Sequence, residues 1–119
     1  MSFITTYCRI KDGEYHVNDK VTLMESNGGF KNQIIELYKS FELKYAKFHK
    51  MDLLAKTAFL GSEIVINENK RLKNYKDDEV ALLFSNNESS LYSDRLFQES
   101  LDTGNPSPSQ FVYTLPNIL

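Results

Sequence analysis

The sequence contains no tryptophan and one cysteine, Cys8, and each shortage excludes something. A single thiol makes no internal disulfide and no multi-cysteine metal site. Such usage fits a reducing, cytoplasmic setting. Charge of one sign is also lacking: fourteen Lys and Arg face sixteen Asp and Glu, for a formal net charge of -2. No basic face is implied, so nucleic acid is not an expected partner. The basic runs Lys44–Lys50 and Lys70–Lys76 read as solvated helix ends and loops, the second balanced at once by Asp77, Asp78 and Glu79. The opening Met1-Ser2-Phe3-Ile4-Thr5-Thr6-Tyr7 has no basic n-region and no long apolar h-region, so it is not a signal peptide. No apolar stretch reaches the length of a membrane span. Internal repeats and low-complexity tracts are not found, and neither is a Walker or dinucleotide fingerprint. No cofactor is implied.

What is present is ordinary for a globular chain: 119 residues, 41% hydrophobic and 25% charged. That length corresponds to one domain or part of one, residues 1–119, able to bury one modest core. Eight Phe and seven Tyr supply much of it.

Local signals give an order of elements. Residues 2–10 are rich in β-branched and aromatic types and run into Lys11-Asp12-Gly13-Glu14, which predicts a strand and a hairpin turn. Tyr15 to Met24 is a second extended stretch, with its own turn at Val17-Asn18-Asp19-Lys20. Ser26-Asn27-Gly28-Gly29 punctuates the chain. Phe30, Ile34, Ile35, Leu37, Tyr38 and Phe41 recur at helical steps. A further helix is expected from about Asp52 to Ile66, with Asp52 capping its N-terminus. Its apolar and small residues (Leu54, Ala55, Ala58, Phe59, Ser62, Ile66) suggest burial on more than one side. Asn67 to Asp78 reads as a loop. Val80-Ala81-Leu82-Leu83-Phe84 is a continuous apolar run, as in a strand covered on both faces of a parallel sheet. Ser89 or Ser90 is placed to cap a helix over Leu91–Leu101. Thr103 to Ser109 breaks the chain with two prolines. Gln110 to Leu119 is apolar again, and within it Tyr113-Thr114-Leu115-Pro116-Asn117 reads either as an interaction segment or as a core strand or loop. The fold class is therefore α/β, a mixed sheet with covering helices. If the first strand and Val80–Phe84 are parallel, the crossover joining them is right-handed.

Three stretches together carry a family likeness. Phe48-His49-Lys50-Met51-Asp52-Leu53-Leu54-Ala55-Lys56-Thr57-Ala58-Phe59-Leu60 is similar to a β-ketoacyl synthase segment in which a Met-Asp pair opens a helix and a basic residue follows one turn later. Val80 to Asn86 resembles the strand leading into a small-residue loop, although in the family that loop is richer in Gly. Asn105 to Asn117 resembles the Ser-Pro…Asn-Thr-Leu-Pro-Asn stretch carried shortly before the nucleophile. The likeness covers roughly Phe48 to Leu119. It implies a partial thiolase-like layered fold, the N-terminal half of a 3-oxoacyl-(acyl-carrier-protein) synthase of fatty-acid or polyketide-type biosynthesis. It also implies self-association or a ketosynthase partner chain, and an acyl-carrier protein. The family's decarboxylative Claisen condensation needs a nucleophilic Cys at a helix N-terminus and a His pair as oxyanion donors. None of these matches a position here, so the resemblance implies an acyltransferase family but an inactive chain by itself. The short, divergent opening is similar to ketosynthase-like proteins of aryl-polyene and flexirubin-type pathways, which implies a chain-length-factor-like, non-catalytic subunit as an alternative. A small α/β binding module is a third reading.

The segment singled out for interaction is Phe111, Tyr113, Thr114, Leu115, Pro116 and Asn117, which the resemblance places near a dimer interface and the mouth of an acyl pocket. Other chemistry-bearing residues read as structural. Cys8 lies in the first strand without a neighbouring base. His16 and His49 share no metal-ligand spacing. Glu63 follows Asp52 by about three helical turns, too far for an acid–base pair. Asp94 and Arg95 are charges on an exposed helix. Ser85 to Ser90 lacks the glycines that let backbone approach a phosphate.

Overall fold

The computed structural model describes residues 3–24, 28–87 and 91–114. Three strands, β1 (Cys8–Lys11), β2 (Glu14–Val17) and β3 (Lys20–Leu23), form an antiparallel sheet in the order β1-β2-β3. Asp12 and Gly13 close the first hairpin with φ of 54° and 79°. A two-residue turn that follows the strand twist requires this left-handed pair, and Asp-Gly supplies it. Asn18, at φ 52°, closes the second hairpin. Its backbone N–H donates to Tyr7 O (3.1 Å) and its Oδ1 accepts from Tyr7 N (3.2 Å).

The register pairs Cys8 with Val17 and Ile10 with Tyr15, which puts all four on the face that meets the helices. The β3 register turns Val21 and Leu23 to the opposite, exposed face.

Helix α1 (Gly29–Ser40) buries Ile34, Leu37 and Tyr38. Helix α2 (Leu53–Glu68) buries Leu60 and Ile64. Asp52 caps α2 as its sequence position suggests: Oδ1 accepts from Ala55 N at 2.8 Å. Phe48, in a single 3₁₀ turn (Phe48–Lys50), fills the space between the helices and is fully buried with Ile34 and Leu60. Its ring stacks on Tyr38 at 3.8 Å and 8°. The Tyr38 hydroxyl, taken out of water, accepts from Tyr45 N (2.7 Å) and donates to Tyr45 O (3.3 Å), so no polar atom is stranded there.

Past α2, two short 3₁₀ turns (Lys70–Asn74 and Asp77–Glu79) occupy the stretch read as loop. Asn69 ties the end of α2 to the N-terminal stretch, donating to Thr6 Oγ1 (2.9 Å) and Thr5 Oγ1 (3.3 Å). Helix α3 (Leu91–Asp102) then pairs with the short α4 (Pro108–Thr114). Gly104 stops α3 at φ 73°.

Three sequence expectations are corrected. Val80–Phe84 forms no strand: it lies outside regular structure, with Leu82, Leu83 and Phe84 exposed at 46%, 87% and 48%. The sheet among the described residues is accordingly antiparallel rather than mixed, and the expected parallel crossover is not formed. A strand apolar on both faces needs neighbouring strands to pair its backbone and a packed layer over each face, whereas the hairpins here complete the sheet locally. The segment from Pro108 to Thr114 is helical, so Tyr113 and Thr114 belong to a helix and not to a core strand or loop. Ser107 Oγ accepts from Gln110 N at 3.3 Å, so Ser107-Pro108-Ser109-Gln110 opens the helix with a capping serine and a proline at the first position. The buried stripe of α2 is carried by Leu60 and Ile64, not by the small residues singled out in the sequence. The helix is nonetheless half-buried along most of its length, as expected.

Candidate functional site

A cleft of about 250 Å³ opens where the N-terminal end of α2 meets the α3–α4 pair. Each element contributes for a local reason. The 3₁₀ turn that buries Phe48 leaves the next residue, His49, on the cleft side, its ring edge-on to Phe48 (5.6 Å) and Tyr38 (5.8 Å). Met51 and Leu53 flank the capping Asp52, and Lys56 stands one turn along α2. Lys31 comes from the first turn of α1. From the other side come Tyr92, the buried Ser93 and Leu96 of α3, and Gln110 and Tyr113 of α4. The Tyr113 hydroxyl donates to Lys50 O at 3.3 Å and fastens α4 across the cleft.

Lys56 defines the electrostatics. Burial lowers its pKa below the usual lysine value, the charge of Lys31 lowers it further, and the Asp52 carboxylate acts in the opposite direction. The Lys56 ammonium also stands 5.8 Å from the centre of the Phe48 ring. Neither Lys31 nor Lys56 forms a salt bridge among the described residues, where the ion pairs are Lys11–Asp12, His16–Glu14 and Lys39–Glu36. Two ammonium groups thus share one cleft with a carboxylate already committed to a helix cap, beside the apolar wall of Met51, Leu53 and Leu96.

The residues singled out in the sequence fall in different places. Tyr113 lines the cleft. Phe111 lies next to it on α4 but packs on Phe97 at 5.4 Å, half-exposed. Thr114 Oγ1 donates back to Phe111 O at 2.7 Å. Leu115, Pro116 and Asn117 lie outside the described residues, as do Ser89 and Ser90. Cys8 is on the core-facing side of β1, opposite Val17, where burial pushes its thiol up to about 11. His16 pairs with Glu14 at 2.9 Å on β2, and only His49 of the two histidines reaches the cleft. Glu63 is half-buried midway along α2, while Asp94 and Arg95 are exposed on α3.

Sequence reasoning passed over Lys31 as a site residue. No local pattern marks it, because its meeting with Lys56 depends on how α1 packs on α2. Lys56 did carry a signal, as the basic residue one turn into the helix opened by Met51-Asp52. Compared with known proteins, the chain matches no family model, no curated protein and no solved structure.

Proposed function

We propose that this chain is a small α/β binding module whose recognition site is the cleft between α2 and the α3–α4 pair. The observation that carries this reading is the convergence of segments far apart in the chain on one concave surface: Lys31, the Met51–Lys56 stretch, Ser93 and Leu96, and Gln110 with Tyr113. A concave surface with a mostly apolar lining and a few placed polar groups is the usual form of a small-molecule site. The volume, about 250 Å³, suits a ligand smaller than a drug-sized molecule. The test is a nitrogen-15 NMR titration with small aromatic acids, amides and alcohols. Amide shifts are expected at Lys31, Met51, Leu53, Lys56, Leu96 and Tyr113, and Leu96→Trp, which fills the cleft, abolishes them. Shifts scattered over the surface, or unchanged by Leu96→Trp, count against the module.

One observation favours a second reading, the ketosynthase-like one. Residues from two of the stretches that resemble β-ketoacyl synthases line the same cleft, His49 to Lys56 from the one and Gln110 and Tyr113 from the other, and the Tyr113–Lys50 hydrogen bond joins them. On this reading the chain contributes part of a thiolase-like layered fold as a non-catalytic, chain-length-factor-like partner. It works in the cytoplasm beside a ketosynthase chain and an acyl-carrier protein, with Phe111 and Tyr113 at the contact. Sedimentation of the chain mixed with a purified ketosynthase checks it: a heterodimer boundary is expected, lost in Tyr113→Ala, and two independent boundaries sink the reading.

A further inference from the structure

The cleft carries an excess of positive charge that its own residues do not neutralise. Lys31 and Lys56 face the same space, and Lys31 disfavours the charged form of Lys56. Like charges brought together cost free energy, and the partial burial of Lys56 lessens the screening by water there. The nearby carboxylate, Asp52, offsets this only in part. Its Oδ1 is spent on Ala55 N at 2.8 Å, and it makes no salt bridge to either lysine. Counting these three side chains leaves one unit of positive charge. An occupant carrying a single negative charge balances it; a dianion overshoots.

The remaining lining sets the rest of the ligand. Met51, Leu53 and Leu96 present apolar surface. A free inorganic ion would leave that surface wet, whereas an anion with an apolar body covers it.

We propose that the cleft holds a small carboxylic acid, its carboxylate clamped between Lys31 and Lys56 and its apolar or aromatic body against Met51, Leu53 and Leu96. The proposal rests on the cleft being the recognition site and adds the chemical class of what occupies it. Lys31 and Lys56 are the specificity-determining residues, since a neutral ligand of the same shape gains nothing from them. The carboxylate's charge-assisted hydrogen bonds to two ammonium groups favour the acid over its amide by about tenfold or more.

Isothermal titration calorimetry with phenylacetate and its neutral isostere phenylacetamide tests this. Phenylacetate is expected to bind at least about tenfold tighter than phenylacetamide. Lys31→Met and Lys56→Met each remove most of that preference and leave the weaker amide binding unchanged, while Lys56→Arg restores it. Circular dichroism of each variant separates a lost clamp from a lost fold, and Lys31→Met, at an exposed position, keeps the test alive if Lys56→Met fails to fold. Equal binding of acid and amide overturns the clamp but leaves the cleft as a binding site. Inorganic phosphate binding tighter than phenylacetate overturns the choice of a carboxylate with an apolar body. Binding of none of these probes overturns the clamp and the binding module together.

Discussion

Cys8 shows how burial alone sets reactivity. Its side chain faces the core from β1 with Val17 opposite, and loss of hydration raises the thiol from 9.0 to about 11. The nucleophile is the thiolate. At pH 8 the thiolate fraction in the fold is therefore about a hundredfold below that of the unfolded chain. Iodoacetamide is expected to alkylate the native protein about a hundredfold more slowly than the urea-unfolded protein at this pH, with the gap closing as pH nears 11; equal rates at pH 8 would show that the thiol is not desolvated. The stability consequence has the matching sign. The folded pKa lies above the unfolded one, so the contribution is fully present below pH 9 and is lost as pH rises towards 11. At this scale the sequence was informative where one residue acts through its immediate neighbours. Asp52 was legible as a cap because its partner, Ala55 N, is three residues away. Lys31 and Lys56 were not legible as a pair, because nothing within either helix brings them together.

Among the elements, α2 carries a testable weakness at Gly61. Glycine in a helix interior costs roughly 0.5–1 kcal/mol relative to alanine, through the freedom it retains when unfolded. Its position lies over β1, where an added Cβ would meet Ile10 Cδ1 at 4.0 Å, ordinary contact distance. Gly61→Ala is therefore expected to stabilise the protein by about 0.5–1 kcal/mol, read as a shift in the urea midpoint without a change in slope. A destabilised variant would mean that α2 and β1 approach more closely than this geometry has them. The same element scale explains which parts of the fold the sequence disclosed. The Asp12-Gly13 and Asn18-Asp19 turns, the apolar stripe of α1 and the cap of α2 are short-range signals, and β2, β3, α1 and α2 formed where these placed them, to within a residue or two, whereas β1 starts only at Cys8 and leaves residues 3–7 of the expected first strand outside the sheet. α4 had a short-range signal too, in Ser107-Pro108-Ser109-Gln110, but the two prolines read as a break in the chain rather than as the opening of a helix. Val80–Phe84 misled for a different reason. Apolar continuity states what a segment would bury if covered, and says nothing of whether neighbouring strands exist to pair it or a layer to cover each face.

The whole molecule divides its stability unevenly. Every residue of the described hydrophobic core, from Val17 to Ile64, belongs to the sheet, α1, α2 or the segments between them. The α3–α4 pair adds none. It holds itself together through Phe97 against Phe111 and through Ser100, whose Oγ donates to Phe97 O (2.6 Å) and accepts from Ser107 N (3.4 Å). Its links to the body include the wall of the cleft and the Tyr113–Lys50 hydrogen bond. The radius of gyration, 16.2 Å, exceeds the roughly 13.5 Å expected of a compact domain of this length. Regions with few buried apolar contacts open at lower free energy than the core. Amides of α3 and α4 are therefore expected to exchange with deuterium at least about tenfold faster than those of Leu60 and Ile64. Equal protection would make the molecule one cooperative unit and remove this division. A ligand that bridges the two sides changes the pattern in a defined way. It binds the closed arrangement and not the open one, so at saturation it lowers the open population in proportion to its concentration over its dissociation constant. Phenylacetate is then expected to slow exchange in α3 and α4 by that factor, and unchanged exchange in α3 and α4 at saturation would show that the ligand does not bridge the two sides.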